Sequence, residues 1–475
     1  MKERVPATKI LCTLGPSTDP PGVVAAMIRA GMDAARINFS HGGAEVQLPR
    51  LQAVRAAEIE TGRPIAVLAD LPGPKIRLGR FPQGPARLAD GAALTLMFGD
   101  GPCDAERLTV DYPDLARSVI PGANIFLADG FVHLQVQQIV GEEVRCRVVR
   151  GGGISDRKGV NLPGVPLHFS APTPEDLIHA VEAVRMGCDF IALSFVQGAD
   201  DILRLKHYLR EHAAPLPIVA KLERPEAILH LEEILQAADL VMVARGDLGV
   251  EVGPAKVPGL QKKILARAQA LGQPAIVATQ MLESMTNAPL PTRAEASDVA
   301  NAILDGADVV MLSGETATGY QPVRVVEMMR DIAKEIEPSV AMQLHGSPAA
   351  EPADAAEAVV SGAMAMINEL HPVAIVAFTS SGLTARLLAK RRPPAPIVTL
   401  TPDQQIRRRC TLLYGCVPVA IDPLSSLDEM QAVTDRALLE NHLACAGDLV
   451  LITAGLPLGT GSRTNLIHAH RVGTI

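Results

Sequence analysis

Ile218-Val219-Ala220-Lys221-Leu222-Glu223 and, one amphipathic stretch later, Leu240-Val241-Met242-Val243-Ala244-Arg245-Gly246-Asp247-Leu248-Gly249 repeat one arrangement, a short apolar run that ends in charged groups. Runs this short, apolar throughout and rich in β-branched residues, read as strands buried on both faces of a parallel sheet. Working outward, the same texture recurs at Thr8–Leu14, Ala34–Ile37, Ile65–Ala69, Phe190–Leu193, Ala275–Ala278 and Val309–Leu312, which with Ile218–Ala220 and Leu240–Val243 makes eight predicted strands. A helical pattern follows each strand except the third. Eight strands alternating in this way with helices predict a (β/α)8 TIM barrel. Helix starts agree: Thr173-Pro174-Glu175-Asp176 combines a capping hydroxyl, a first-turn proline and acids facing the positive end of the helix dipole.

Between the third and fourth strands the texture changes to short β-like runs, Leu94–Phe98, Val132–Val136 and Glu143–Val149, separated by Gly, Pro and Asp turns. This predicts an all-β insert, a β-barrel lid over residues 71–167, in a barrel made by 1–70 and 168–337. Pro338–Asp354, rich in Ala and Pro, reads as a linker. A C-terminal α/β domain over 355–475 follows, with helices Ala355–Leu370, Leu383–Lys390 and Leu427–Glu440 and strands Ala374–Phe378, Ile397–Leu400 and Leu449–Thr453.

Composition excludes several classes. No apolar run approaches the roughly 20 residues that span a bilayer, and the first residues lack a signal-peptide core, so a soluble cytoplasmic protein without a membrane partner is expected. A net charge of -8, no Trp and only four Tyr leave no basic, aromatic-interleaved stripe for nucleic acid. Seven scattered cysteines with no C-x-x-C pair read as reduced thiols.

In such barrels the chemistry lies beyond the C-terminal ends of the strands. Strand two runs into Arg36-Ile37-Asn38-Phe39-Ser40-His41, strand three into Asp70, strand five into Lys221 and Glu223, strand six into Arg245-Gly246-Asp247, strand seven into Thr279-Gln280 and strand eight into Ser313-Gly314-Glu315-Thr316. Glu223 and Asp247 end adjacent strands and can share a hard cation such as Mg2+. Lys221 can stabilise a phosphoryl group in transfer, and Arg36 can fork onto its oxygens. No G-x-x-x-x-G-K-[ST] motif occurs, so a nucleotide needs another device, and Arg157-Lys158-Gly159 offers a basic turn able to close over phosphates. In the C-terminal part, Thr379-Ser380-Ser381-Gly382 and Thr384 surround a helix N-terminus and predict an anion pocket that the loop carrying Gly459, Gly461 and Ser462 could wrap.

These segments together resemble the pyruvate kinase family. The resemblance is carried by Thr8–Pro16, Arg36–Gly42, Gly159–Gly164, Ala220–Glu223, Met242–Gly249, Ala278–Met285, Pro291–Asn301 and Met311–Thr316, in the family's order. It implies transfer of the phosphoryl group of phosphoenolpyruvate to ADP, giving pyruvate and ATP, with Mg2+ or Mn2+ on Glu223 and Asp247. It further implies Lys221 and Arg36 at the phosphoryl group, Gly246, Asp247 and Thr279 at the substrate carboxylate with Thr279 near the proton delivered to the enolate, and Pro16, His41, Arg77 and Lys158 at the nucleotide. Allosteric control and a homotetramer are also implied.

Two departures from the family pattern matter. Potassium-dependent members carry Thr and Glu where this chain has Leu71 and Lys75, and hold a monovalent cation with residues matching Asn38, Ser40 and Asp70. A lysine ammonium can take that electrostatic role, which predicts activity independent of K+. Ser380 stands where members activated by fructose 1,6-bisphosphate can use lysine, so a sugar monophosphate or AMP is expected ahead of the bisphosphate. Two other classes compete: a metal-dependent barrel lyase acting on an enolpyruvate, which needs neither the Lys158 lid nor the C-terminal domain, and a catalytically dead metabolite sensor, which the intact catalytic groups disfavour.

Overall fold

The computed structural model describes residues 5–165, 171–344, 354–424, 426–457 and 463–473. Its centre is a closed ring of eight parallel strands, Lys9–Thr13, Ala34–Asn38, Ala66–Asp70, Phe190–Leu193, Ile218–Leu222, Leu240–Ala244, Ala275–Ala278 and Val309–Leu312. The ring follows sequence order and closes where Lys9 pairs with Val309. Side chains alternate with period two. Leu11, Leu68, Phe190, Val219, Met242, Ile276 and Met311 form one buried cluster inside the ring. Ile10, Val67, Ile218, Val241, Val277 and Val310 belong to the larger cluster shared with helix residues such as Ile28, Leu205, Leu265, Ile303 and Val326. That double burial is why these strands read as continuous apolar runs.

The insert carries six strands in the order Val160–Asn161, Asn124–Leu127, Val132–Val140, Glu143–Arg150, Ala93–Phe98, Arg107–Val110, beside a ribbon of Ala86–Leu88 and Gly152–Ile154. The edge strands of the six are not laddered to each other. Among the described residues isolated bridges, Leu78 to Val110 and Arg77 to Gly159, link these two edges to the connecting chain. Leu78, Leu96, Val132 and Val144 lie in its separate core.

The expected linker does not begin at Pro338. The helix Pro322–Leu344 runs through that proline. Buried Glu337 explains the continuation, since its carboxylate accepts Ala7 N at 2.9 Å and Thr8 N at 2.7 Å and fastens this turn beneath the first strand. Beyond it lies a five-stranded sheet in the order Cys416–Ala420, Ile397–Thr401, Ala374–Phe378, Leu449–Ala454, Leu466–Arg471, with only the last strand antiparallel. The helix Gln404–Arg409 and both edge strands were not expected. Pro418 and the polar run His468-Ala469-His470-Arg471 mask them, which is usual for edge strands, whose second face is not buried.

The C-terminal part also plugs the barrel floor. Leu412, in the single turn Cys410–Leu412, is fully buried in the ring's interior cluster. Nearby, Lys9 Nζ donates to Cys416 O at 2.8 Å and Gly415 N to Ala7 O at 2.8 Å. Leu412→Ala is therefore expected to cost about 3 kcal/mol, as other buried Leu→Ala changes do. Exposed Ile59→Ala should cost less than about 0.5 kcal/mol. Urea titrations of both variants check the difference.

Candidate active site

The strand ends converge on a cavity of about 580 Å3 between barrel and insert, lined by residues that include Arg36, Asn38, Ser40, His41, Asp70, Lys75, Arg77, Lys158, Lys221, Glu223 and Asp247. At its base sits Asp70, 1% exposed. It accepts Arg36 Nε at 2.6 Å on one oxygen and Lys221 Nζ at 3.2 Å on the other. In-register pairing of Arg36 with Leu68 and of Asn38 with Asp70 places strands two and three to make this contact. Arg36 also donates to Thr13 Oγ1 at 3.0 Å, and Lys221 to Ser194 Oγ at 2.7 Å. The chain of charge ends at Glu223, whose Oε1 is 3.0 Å from Lys221 Nζ and whose Oε2 accepts Phe195 N at 2.7 Å.

Burial works against every charge here, and the partners decide the outcome. Burial would neutralise Lys221, but Asp70 and Glu223 outweigh it and hold the ammonium above its ordinary value. Burial likewise opposes Asp70, yet Lys221 and Arg36 keep its carboxyl below the usual range. Glu223 is pushed up, by burial first and by Asp247 as well, with Lys221 opposing. His41 is lowered by partial burial and then by Arg36, Arg77 and Arg50.

Thr279 and Gly246, next to Asp247, lie outside the cavity lining; Thr279 has a left-handed backbone, φ 71°, and its Oγ1 accepts Gly246 N at 2.8 Å while donating to Ala278 O at 2.6 Å. Arg245 fixes that turn from behind, donating to Thr279 O at 2.7 Å and to Asp298 at 2.8 Å. Gly246 and Asp247 lie in the first turn of the helix Arg245–Val252. Lys75 reaches Asp247 Oδ1 at 2.9 Å, and no hydrogen bond among the described residues joins it to Asn38, Ser40 or Asp70. Arg77 donates to Arg157 O at 3.2 Å. Pro16 is exposed and lies outside the cavity lining.

The sequence reading missed Ser194, and it named Arg245 at the end of strand six without its contact to Thr279. Ser194 follows strand four just as the expected groups follow theirs, so the same rule would have found it. Arg245 acts through its side chain on strand seven, a contact that spacing does not reveal.

The lining holds six cationic groups (Arg36, Lys75, Arg77, Arg157, Lys158, Lys221) and five carboxylates (Asp70, Asp129, Asp156, Glu223, Asp247). The cavity is thus nearly balanced, and Glu223 and Asp247 would repel a phosphorylated acid unless a cation lay between them. Among the described residues no cluster of three or more His, Cys, Asp or Glu could hold a metal. Two carboxylates with substrate and water completing the shell suit Mg2+, which is seldom caged by protein alone.

A second cavity, about 140 Å3, is lined by Thr379, Ser380, Ser381, Thr384, Arg463 and the apolar Pro402, Ile421, Pro423 and Leu424. Gly382 (φ 84°) donates its N–H to Thr379 Oγ1 at 2.9 Å, and Thr384 shares a 2.7 Å bond with Thr464. Gly459, Gly461 and Ser462, expected to wrap this pocket, lie outside the described residues.

A parallel barrel with paired cations and carboxylates at the C-terminal mouth of its strands, joined to an α/β sheet, defines a phosphate-handling barrel enzyme. Residues 5–326 match the family model of the pyruvate kinase barrel domain, and 357–470 that of the pyruvate kinase alpha/beta domain. Relatives named pyruvate kinase include one from Mycobacterium tuberculosis, 43% identical over 98% of both chains, and one from Corynebacterium glutamicum, 41% identical over 98% of both. Another, from Geobacillus stearothermophilus, is 40% identical over 98% of this chain and 81% of its own. The chain belongs to the pyruvate kinase family, and it is a phosphotransferase whose substrates and products are phosphoenolpyruvate, ADP, pyruvate and ATP.

Removing the shared anion should strain the site. Asp70→Asn leaves Arg36 without its carboxylate and Lys221 with Glu223 alone, and unfolding free energy is expected to fall by about 3 kcal/mol. Because the Asp70 carboxyl is held low, its contribution is full above the ordinary carboxylate range and is lost as the pH drops through its folded value. The gap between wild type and Asp70→Asn in urea titrations should therefore narrow in acid.

Proposed function

We propose that this enzyme moves the phosphoryl group at the Lys221 end of the Arg36–Asp70–Lys221–Glu223 chain, with Glu223 and Asp247 holding a divalent metal. The observation that carries the assignment is Lys221, kept charged in a buried setting by two carboxylates, where it meets a developing negative charge without reorganisation. A bound Mg2+ or Mn2+ would neutralise phosphoryl oxygens and shield the acid pair. Arg36 would fork onto the same phosphoryl group, its orientation fixed by Asp70 and Thr13. Gly246 and Asp247 would take the substrate carboxylate, and Thr279, whose hydroxyl is held beside Gly246 N, would stand at the carbon that gains a proton. His41, Arg77 and Lys158 would receive the nucleotide phosphates. Asn38, Ser40 and Asp70 would flank the substrate phosphate; the exposure of Pro16 gives it at most a peripheral place at the nucleotide.

The division of labour follows: 1–70 with 168–337 as catalytic barrel, 71–167 as lid, 355–475 as effector domain. We further propose activity independent of K+, with Lys75 supplying the positive charge, and control by a phosphorylated metabolite at Thr379–Thr384, where Arg463 adds a cation and the apolar wall favours AMP or a sugar monophosphate over a bisphosphate. A cytoplasmic homotetramer is the assembly expected for this family; no helix among the described residues is long and apolar enough to cross a membrane.

Lys221→Met should lower kcat by about a thousandfold with little change in KM, since a charge that acts mainly in the transition state is removed. An equal loss through KM alone would refute the role. Wild-type ATP formation should proceed in K+-free buffer, and Lys75→Glu should respond to added K+. Strong K+ activation of the wild type would contradict this. Thr384→Ala should abolish the thermal shift given by AMP or glucose 6-phosphate, whichever stabilises the wild type.

A further inference from the structure

The placement of Lys75 points beyond a substitute for potassium. Its Nζ is 2.9 Å from Asp247 Oδ1 and 3.8 Å from Asp129 Oδ1. We propose that Lys75 is a competing counter-ion of the metal site: its ammonium and a divalent cation contend for Asp247, so metal loading expels the lysine, and the lysine sets how tightly metal binds before substrate arrives. The proposal rests on the assignment of Glu223 and Asp247 to the metal.

The two lysines of the site differ in the way this requires. Lys221 is fixed by Ser194, Asp70 and Glu223 together, and its side chain is 12% exposed. Lys75 has one close partner and is 21% exposed. An exit is at hand, because Asp129, 64% exposed on the insert, can take the ammonium when Asp247 is lost to it. A hard cation binds carboxylate oxygen at about 2.1 Å, and a second positive charge at hydrogen-bond distance from the same oxygen would be repelled by it. The stem of Lys75 lies along the lid turn, where a Cβ on Gly159 would come within 2.9 Å of Lys75 Cε. Each metal-loading event would thereby release a tether between the insert and the sixth strand's end.

The test is Mn2+ binding to the full-length, substrate-free enzyme in K+-free buffer, followed by electron paramagnetic resonance. Lys75→Met should bind Mn2+ about tenfold tighter, the scale of one partly buried ion pair. Lys75→Arg should stay near wild type. Lys158→Met, a cation of the same cavity without contact to Asp247, should change it less than about twofold. No tightening in Lys75→Met, or equal tightening in Lys158→Met, overturns the proposal. Asp247→Asn separates the two assignments. If it binds Mn2+ like wild type, the metal site itself is wrong; if it loses Mn2+ while Lys75→Met is unchanged, only the competition is wrong.

Discussion

One buried carboxylate organises the catalytic mouth. Asp70, at the end of the third strand, holds Arg36 from the second and Lys221 from the fifth on its two oxygens. Three strands of the ring are thereby tied at the point where the reacting phosphate would sit, and two long cationic side chains lose their freedom before any substrate arrives. Without that anion, the proximity of Arg36 and Lys221 would be repulsive, and Glu223 would be left to oppose the pull of burial toward a neutral lysine. The parallel ring makes the arrangement possible, because it delivers every strand's C-terminal end to one face.

The remaining carboxylates act in the opposite sense. Glu223 and Asp247 place negative charge beside the proposed phosphoryl site, an unfavourable arrangement for a phosphorylated substrate until a cation bridges it. Lys221 answers for Glu223 and Lys75 for Asp247, so each acid has its own lysine. The strand-six acid thus depends on a residue of the connection into the insert. This links the insert to the barrel electrostatically as well as covalently.

Much of this was legible in the sequence. All eight ring strands were readable because double burial writes them as uninterrupted apolar runs, and the charged groups that line the cavity, among them Arg36, Asp70, Lys221, Glu223 and Asp247, stand at the C-terminal ends of those runs. What escaped depended on contacts distant in sequence. The pairing of Lys75 with Asp247 spans 172 positions. Arg245 acts on strand seven by donating to backbone oxygens, and the left-handed φ values of Phe195, Thr279 and Gln280 occur at residues that carry no glycine signal. The helix past Pro338 was hidden because local breaking propensity was overridden by the Glu337 carboxylate, and the edge strands because their exposed face lacks the apolar pattern. The pairing of these charges therefore needed the fold, whereas their placement at the strand ends did not.

Phosphorus NMR of phosphoenolpyruvate mixed with ADP and the purified enzyme tests the central claim most directly. With Mg2+ present and K+ absent, the substrate signal should disappear as the γ-phosphate signal of ATP grows in equal amount, and neither should change when the metal is chelated. Release of inorganic phosphate in place of ATP, or transfer that continues without a divalent cation, would contradict the account.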